Sequence, residues 1–153
     1  MMSVAARLAE LGLTLPTVAV PVGVYVPAVR SGSQVYTSGQ LPLVDGRLPA
    51  VGKVGGQIGP EDAQQYAGIC ALNALAAIDA LVGLDAVVRV VKVVGYVASA
   101  DGFTGQPGVI NGASELLGKV FGPDGQHARS AVGVSELPMG APVEVELTVE
   151  VAP

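Results

Sequence analysis

The chain has 153 residues, of which half are hydrophobic and 14% are charged, with a formal net charge of −5. This length fits one domain that buries its own core. Eight Lys and Arg are scattered among thirteen Asp and Glu, which argues against nucleic acid as a partner because phosphate binding needs clustered cations. The apolar runs are short and interrupted by charges, so we expect no membrane helix, no signal peptide and a cytoplasmic location.

The N-terminal part of the chain predicts a short helix followed by antiparallel strands. A helix is predicted over residues 2–11, and the prolines after it favour an extended connection. The stretch YVPAVRSGSQVYTSG, residues 25–39, predicts two strands around a turn at residues 31–33. The Asp-Gly pair in LVDGRL predicts a tight hairpin turn.

A long helix is predicted from Pro60 to the residue before Gly83. Proline suits a first helical position, and the acidic residues that follow suit the positive end of the helix. Apolar residues at helical spacing form one stripe that should pack on a sheet: Ala67, Cys70, Ala71, Ala74, Ile78, Leu81 and Val82. Cys70 is thus interpreted as a buried small residue. The preceding VGKVGGQIGP lacks the spacing of a phosphate-binding loop and is interpreted as a flexible connection.

The second half of the chain predicts three more strands and one more helix. Residues 87–98 are rich in β-branched side chains and predict a long central strand. A helix is predicted at about 109–121, and strands at 129–134 and 143–151. The last strand alternates Val or Leu with Glu or Thr, so one of its faces should be buried. The pattern predicts an α+β domain with two helices on one sheet face. VVRVVKVV is apolar on both faces, which predicts that neighbouring subunits cover the other face.

Most classes of catalytic site lack the residues they require. His127 is the single histidine, and no second histidine or cysteine cluster accompanies it, so a metal site is not expected. Its Gly-rich surroundings make it a predicted solvated loop residue. The remaining candidates are polar residues in apolar company: Tyr25, Ser38, Asn111, Arg129 and Glu144. Each also has a structural interpretation: a strand aromatic, a helix-surface amide, a solvated glutamate, or an arginine in a rim salt bridge with a glutamate.

Two stretches of the chain resemble a known family. VYVPAVRSGSQVYTSGQLP and ARSAVGVSELPMGAPVEVELTVEV are similar to the two signature regions of the Rid family (YjgF/YER057c/UK114). The resemblance covers about residues 20–152 and divides the chain into an N-terminal extension with a short helix, residues 1–19, and a Rid-like domain, residues 20–153. It implies a chorismate-mutase-like fold with a mixed β-sheet, assembled as a homotrimer with active sites between subunits.

The resemblance also implies an activity and roles for single residues. Members that carry the arginine hydrolyse reactive 2-imino acids and enamines to 2-keto acids and ammonia, without metal or cofactor. Arg129 would bind the substrate carboxylate, and Glu144 would position the attacking water. Tyr25 would line the pocket. Further pocket residues are implied by the same match: Ser38, Gly39, Asn111 and Ala131, the last standing where a cysteine is common.

Two alternatives to the deaminase stay open at this point. The chain could be a non-catalytic trimeric protein that binds a small carboxylic acid through Arg129. The endoribonuclease activity attached to some family names is poorly supported by a pI near 4.6 and a lone histidine.

Overall fold

The computed structural model describes residues 2–21 and 23–153. Its helices are α1 (Val4–Glu10), α2 (Pro60–Val82) and α3 (Gln106–Phe121). Its strands are β1 (Ala28–Ser31), β2 (Gln34–Thr37), β3 (Val87–Ala98), β4 (Ala128–Val134) and β5 (Val143–Val151). The order and type of these elements confirm the sequence prediction, with α3 starting a few residues earlier than expected.

The described strands form one mixed sheet in the order β1-β2-β5-β3-β4. Strand β4 runs parallel to β3, because the chain crosses over through α3 between them, and the other pairs are antiparallel. Helices α2 and α3 pack side by side on one face of the sheet. This arrangement confirms the predicted α+β architecture with two helices on a single face.

The core lies between the sheet and the two helices. Alternate residues of β5, from Val143 to Val151, are buried, as their period of two predicts. Cys70 and its neighbours on α2 are buried opposite them, which confirms the predicted stripe. Leu81 is an exception and the prediction for it is wrong: its side chain is 44% exposed. It lies in the last turn of α2, where it lines an open apolar groove with Val18 and Val26 instead of packing on the sheet.

Two glycines let α3 lie close to its neighbours. A Cβ at Gly95 of β3 would collide with the side chain of Ile110, and a Cβ at Gly112 of α3 would collide with the carbonyl of Gln64 on α2. At both positions the neighbouring atoms occupy the space that a side chain would fill, as the close packing of a protein interior allows. They bring α3 down onto the sheet, and with it the polar residues that α3 presents to β4.

The two predicted loops before α2 are ordered by backbone hydrogen bonds. Asp45 and Gly46 adopt positive φ angles of 52° and 78°, as the predicted Asp-Gly turn requires. The flexible connection predicted over residues 51–60 is wrong, because its chain is hydrogen-bonded to the end of β3. The amide of Val54 donates to the carbonyl of Ala98 over 2.7 Å, and the amide of Ala100 donates to the carbonyl of Val54 over 3.0 Å.

The N-terminal helix contributes to the same core. Leu8 of α1 is buried among the core residues, and the Arg7 guanidinium donates from Nε to the carbonyl of Lys119 at the end of α3 over 2.8 Å. The division of the chain at residues 19 and 20 stays a prediction.

Helix α2 has the length and apolar composition of a membrane span. Half of its most apolar stretch is buried inside the domain, where the stripe around Cys70 packs on the sheet. We therefore treat α2 as the central helix of a globular domain.

Candidate functional site

Four of the predicted site residues lie together at one end of the sheet. Tyr25, Ser38, Gly39 and Glu144 line an open cleft of about 310 Å³. Ser38 and Gly39 follow the last residue of β2, Glu144 is the second residue of β5, and Tyr25 precedes β1. We call these four residues the carboxylate half of the candidate site. The cleft has the dimensions of a small-molecule site.

The backbone ladder fixes Gly39 against the Glu144 carboxylate. Beyond the end of β2, Gln40 and Val145 exchange two backbone hydrogen bonds of 2.8 and 3.0 Å, so the chain stays paired with β5 as it passes Glu144. A Cβ at Gly39 would stand 2.5 Å from Glu144 Oε2 and 2.7 Å from its Cδ. Glycine at this position therefore makes the space that the carboxylate occupies.

Ser38 holds the wall of the cleft that carries Tyr25. Its hydroxyl donates to the carbonyl of Val26 over 2.6 Å, and its amide donates to the carbonyl of Pro27 over 2.8 Å. These bonds fix the two residues that follow Tyr25 in the chain. The Tyr25 ring is 46% exposed, and it lies in a bend before β1 and not within a strand.

The environment of Glu144 raises the pKa of its carboxyl group. Partial burial is the main cause, and the nearby charge of Glu146 adds to it. Glu146 in turn accepts a hydrogen bond of 2.9 Å from the Tyr96 hydroxyl, and burial and Glu146 raise the pKa of Tyr96 to about 12. A carboxylate with a raised pKa is a stronger base, which suits the removal of a proton from water.

Tyr96 and Glu146 were not among the predicted site residues. The alternation of β5 places Glu146 on the same face as Glu144, and this spacing of two residues was the available signal for their interaction. The contribution of Tyr96 depends on its register opposite Glu144 in β3, which the sequence alone does not give.

The remaining predicted residues lie on β4 and α3. Arg129 Nη1 donates to Asn111 Oδ1 over 2.8 Å and to Ser114 Oγ over 3.2 Å, and Nη2 donates to the carbonyl of Pro107 over 3.3 Å. Ala131 follows on the same face of β4 and packs partly against the core. We call Arg129, Asn111 and Ala131 the arginine half. Among the described residues Arg129 forms no salt bridge, so the interpretation as a rim pair with a glutamate is not supported.

His127 is not the solvated loop residue that the sequence predicted. It is half-buried one residue before β4, with Nε2 2.9 Å from Ser114 Oγ and Nδ1 2.6 Å from the carbonyl of Gly125. The surrounding glycine and proline residues form a short 3₁₀ turn, Gly122–Gly125, that folds back on the end of α3. The prediction failed because composition does not show where such a turn packs.

The two halves lie on opposite faces of the sheet within one chain. Arg129 is in register with the buried Val93, so its side chain projects toward the helices. Glu144 is in register with Tyr96 and alternates with buried valines, so it projects from the other face. Strand β3 separates the strands that carry them. Within one chain, the described residues that form the carboxylate half include no cation, and those that form the arginine half include no carboxylate.

The titratable residues do not form a ligand cluster for a metal ion in the part of the chain that is described. No group of three or more His, Cys, Asp or Glu side chains lies close enough to share a metal there. The candidate residues themselves offer a carboxylate, a guanidinium, an amide and hydroxyl groups.

The chain is similar to proteins that cover nearly its whole length. Protein TCP17 of Trypanosoma cruzi is 46% identical over 149 residues, 96% of this chain and 93% of the relative. Protein Atu1372 of Agrobacterium tumefaciens, of unknown function, superposes with a TM-score of 0.90 at 44% identity, covering 97% of this chain and 92% of that one. A "putative endoribonuclease" from Shewanella oneidensis superposes with a TM-score of 0.95 at 30% identity, covering 98% and 100%.

A more distant structure shares the fold and was solved with a ligand. TdcF of E. coli, with bound serine, superposes with a TM-score of 0.65 at 22% identity, covering 91% of this chain and 96% of that one. The sequence profile of the family described as "YjgF/chorismate mutase-like, putative endoribonuclease" matches residues 5–151. The match confirms the resemblance found in the sequence, and the chain belongs to the YjgF/chorismate mutase-like family.

Proposed function

We propose that this protein hydrolyses 2-imino acids and their enamine tautomers to 2-keto acids and ammonia, at a site shared between subunits of a homotrimer. The observation that carries the proposal is the separation of the two halves. Binding and activation of a substrate require both a carboxylate-binding cation and a base, and one chain presents them on opposite faces of its sheet. A neighbouring chain that supplies the missing half completes the site.

The arginine half suits a substrate carboxylate. A guanidinium is planar, permanently charged and able to donate two parallel hydrogen bonds to a carboxylate. Asn111 and Ser114 hold the Arg129 guanidinium from the side of α3, which limits its rotamers before substrate arrives. A group fixed in this way loses less entropy on binding.

The carboxylate half suits the activation of water. Glu144 takes a proton from a water molecule as the water oxygen bonds to the imine carbon, and the C=N π electrons move to nitrogen. Return of the proton to nitrogen gives the neutral carbinolamine. Glu144 then carries the carbinolamine hydroxyl proton to the amine nitrogen, and as the C=O bond forms the C–N bond breaks and ammonia leaves. The raised pKa of Glu144 matches this exchange of a proton in both directions.

The serine bound to TdcF supports a small amino-acid-like ligand for this fold. The same observation favours the second candidate function, a trimeric protein that binds a small carboxylic acid without turning it over. The endoribonuclease named in the family description fits less well, since the chain has a net charge of −5 and a single histidine, which here is hydrogen-bonded to Ser114 and Gly125.

A coupled assay tests the proposal. An amino-acid oxidase generates 2-imino acids from several amino acids. Semicarbazide and the protein compete for these imines, and semicarbazide traps the imine that the protein has not hydrolysed. We expect faster loss of imine with the parent protein than with Glu144→Gln, and equal activity after dialysis against EDTA. Binding of 2-oxobutyrate without any acceleration of imine hydrolysis would establish the binding protein instead. A cytoplasmic location, where enzymes dependent on pyridoxal phosphate release such imines, is part of the proposal.

A further inference from the structure

A continuous hydrogen-bond chain runs from the backbone of Gly125 to the guanidinium of Arg129. Its links are Gly125 O to His127 Nδ1 at 2.6 Å, His127 Nε2 to Ser114 Oγ at 2.9 Å, and Ser114 Oγ to Arg129 Nη1 at 3.2 Å. Asn111 Oδ1 accepts from the same Nη1 over 2.8 Å. In the proposed function Ser114 serves only as a contact of the guanidinium, and His127 has no role.

With a neutral His127 imidazole, the chemistry of the groups fixes the direction of every link. A backbone carbonyl only accepts, so Nδ1 of His127 carries a hydrogen, and in the neutral imidazole Nε2 is then an acceptor. The Ser114 hydroxyl must therefore donate to Nε2, which leaves an oxygen lone pair directed to Arg129. A serine whose hydrogen is committed in this way acts toward the arginine as an acceptor only.

The chain decides which donors of Arg129 remain for a ligand. Asn111 and Ser114 together occupy Nη1, and the carbonyl of Pro107 takes one hydrogen of Nη2. Among the described residues, Nε–H has no hydrogen-bond partner, and the carbonyl of Pro107 is the single acceptor at Nη2. Nε and Nη2 flank the same edge of the guanidinium plane, and this edge is the fork that matches the two oxygens of a carboxylate.

The approach of the 3₁₀ turn to α3 depends on glycine at position 125. A Cβ at Gly125 would stand 2.5 Å from the carbonyl oxygen of Leu117 and 2.9 Å from its carbon. A larger residue would push the turn away from α3 and carry the His127 ring away from Ser114. The close approach of the backbone at Gly125 thus brings the His127 ring into contact with Ser114.

We propose that Ser114 and His127 are positioning residues that hold the Nε/Nη2 edge of Arg129 toward the substrate carboxylate. His127 acts through Ser114, since it fixes the direction of the Ser114 hydroxyl, and Ser114 acts through Nη1. This inference rests on the proposed role of Arg129 and adds to it the residues that select its binding edge. It also assigns a task to the single histidine of the chain.

Binding of 2-oxobutyrate, a keto acid that the site does not turn over, tests this inference by calorimetry. We expect Ser114→Ala and His127→Phe each to weaken binding about three- to tenfold, and Ser114→Thr, which keeps the hydroxyl, to bind as the parent does. The double variant Ser114→Ala/His127→Phe should bind 2-oxobutyrate no more weakly than the single variant with the lower affinity, because both changes break the same chain of hydrogen bonds. Glu115→Gln, an exposed neighbour on α3, is the matched control and should leave binding unchanged.

The outcomes separate this inference from the proposed function. Normal binding by Ser114→Ala and His127→Phe, with binding lost in Arg129→Ala, would overturn the positioning role and leave Arg129 as the carboxylate ligand. Additive losses in the double variant, or a loss in Ser114→Thr equal to that in Ser114→Ala, would likewise overturn it. Normal binding by Arg129→Ala would overturn the proposed function itself, and the inference with it. Melting temperatures of all variants distinguish loss of binding from loss of fold.

Discussion

The carboxylate half and the arginine half of the candidate site are built in different ways. Backbone pairing beyond the ends of strands positions Gly39 and Glu144, and burial beside another acid raises the pKa of the Glu144 carboxyl. Side-chain hydrogen bonds to a helix position Arg129, and they stabilise its charge. In the proposed function the first half exchanges a proton and the second holds an anion. The proposal thus divides one reaction between two surfaces of the same chain.

Removing the base should have the largest effect on turnover. We expect Glu144→Gln to lower kcat roughly a hundredfold, since an amide cannot take a proton from water, while affinity for 2-oxobutyrate stays nearly unchanged. Steady-state kinetics and calorimetry measure the two quantities. Glu150→Gln, on the same face of β5, removes an equal charge as the control. Equal loss of affinity and turnover in Glu144→Gln would contradict the division of labour between the halves.

Removing the cation should act mainly on binding. Arg129→Ala is expected to lower kcat/KM by roughly ten- to hundredfold, the loss of a charge-assisted contact, and Arg129→Lys to recover little because it lacks the planar fork. Arg47→Ala, in the exposed hairpin turn, removes an equal charge from a residue that belongs to neither half. Full activity in Arg129→Ala would end the carboxylate-binding role, and full activity in Arg129→Lys would favour a structural role.

Crowding the Glu144 carboxylate should have an effect on kcat of intermediate size. Gly39→Ala places a methyl group against Glu144 Oε2, so the carboxylate must turn away, and we expect a loss of roughly tenfold in kcat. Gly118→Ala on α3, where a Cβ meets nothing within 4 Å, is the matched control. Unchanged kcat in a folded Gly39→Ala protein would show that the position of the Glu144 carboxylate does not matter.

The smallest expected effect is on stability, and its sign follows from the raised pKa of Glu144. A carboxyl whose pKa is higher in the folded than in the unfolded protein destabilises the fold when ionised. The free energy of unfolding therefore falls as pH rises from the ordinary glutamate pKa through the raised one. We expect urea titrations to find Glu144→Gln more stable than the parent at pH values above the raised pKa. At pH values below the ordinary glutamate pKa, the two proteins should be equally stable. A variant less stable at neutral pH would contradict the electrostatic account.

Regular elements were predictable because their signals are local. The alternation in β5 and the apolar stripe around Cys70 each depend on a few neighbouring residues, and the structure confirms them. Leu81 fits the same stripe, but its exposure depends on where the helix ends relative to the sheet. The residues of the 51–60 segment gave no sign of their bonds to the end of β3, since those partners lie more than forty positions away.

The sequence suggested single candidate residues, and it did not give their arrangement. The family resemblance implied roles for Arg129 and Glu144, yet their opposite faces follow from the register of β3 with β4 and β5. Ser114 was not among the candidates and His127 was predicted to be solvated, because a serine within a helix and a histidine in a Gly-rich segment are ordinary on their own. Their contact depends on a 3₁₀ turn whose packing is set by Gly125.

Complementation between two inactive variants tests the shared site most directly. Arg129→Ala and Glu144→Gln chains with different tags are co-expressed, and mixed oligomers that carry both tags are purified and assayed. If Arg129 of one chain works with Glu144 of its neighbour, every trimer that contains both variants has one of its three sites with both residues intact, and activity should return to about a third of that of the parent. Mixed oligomers no more active than the two variants alone would show that the halves do not combine across chains, which would contradict the account.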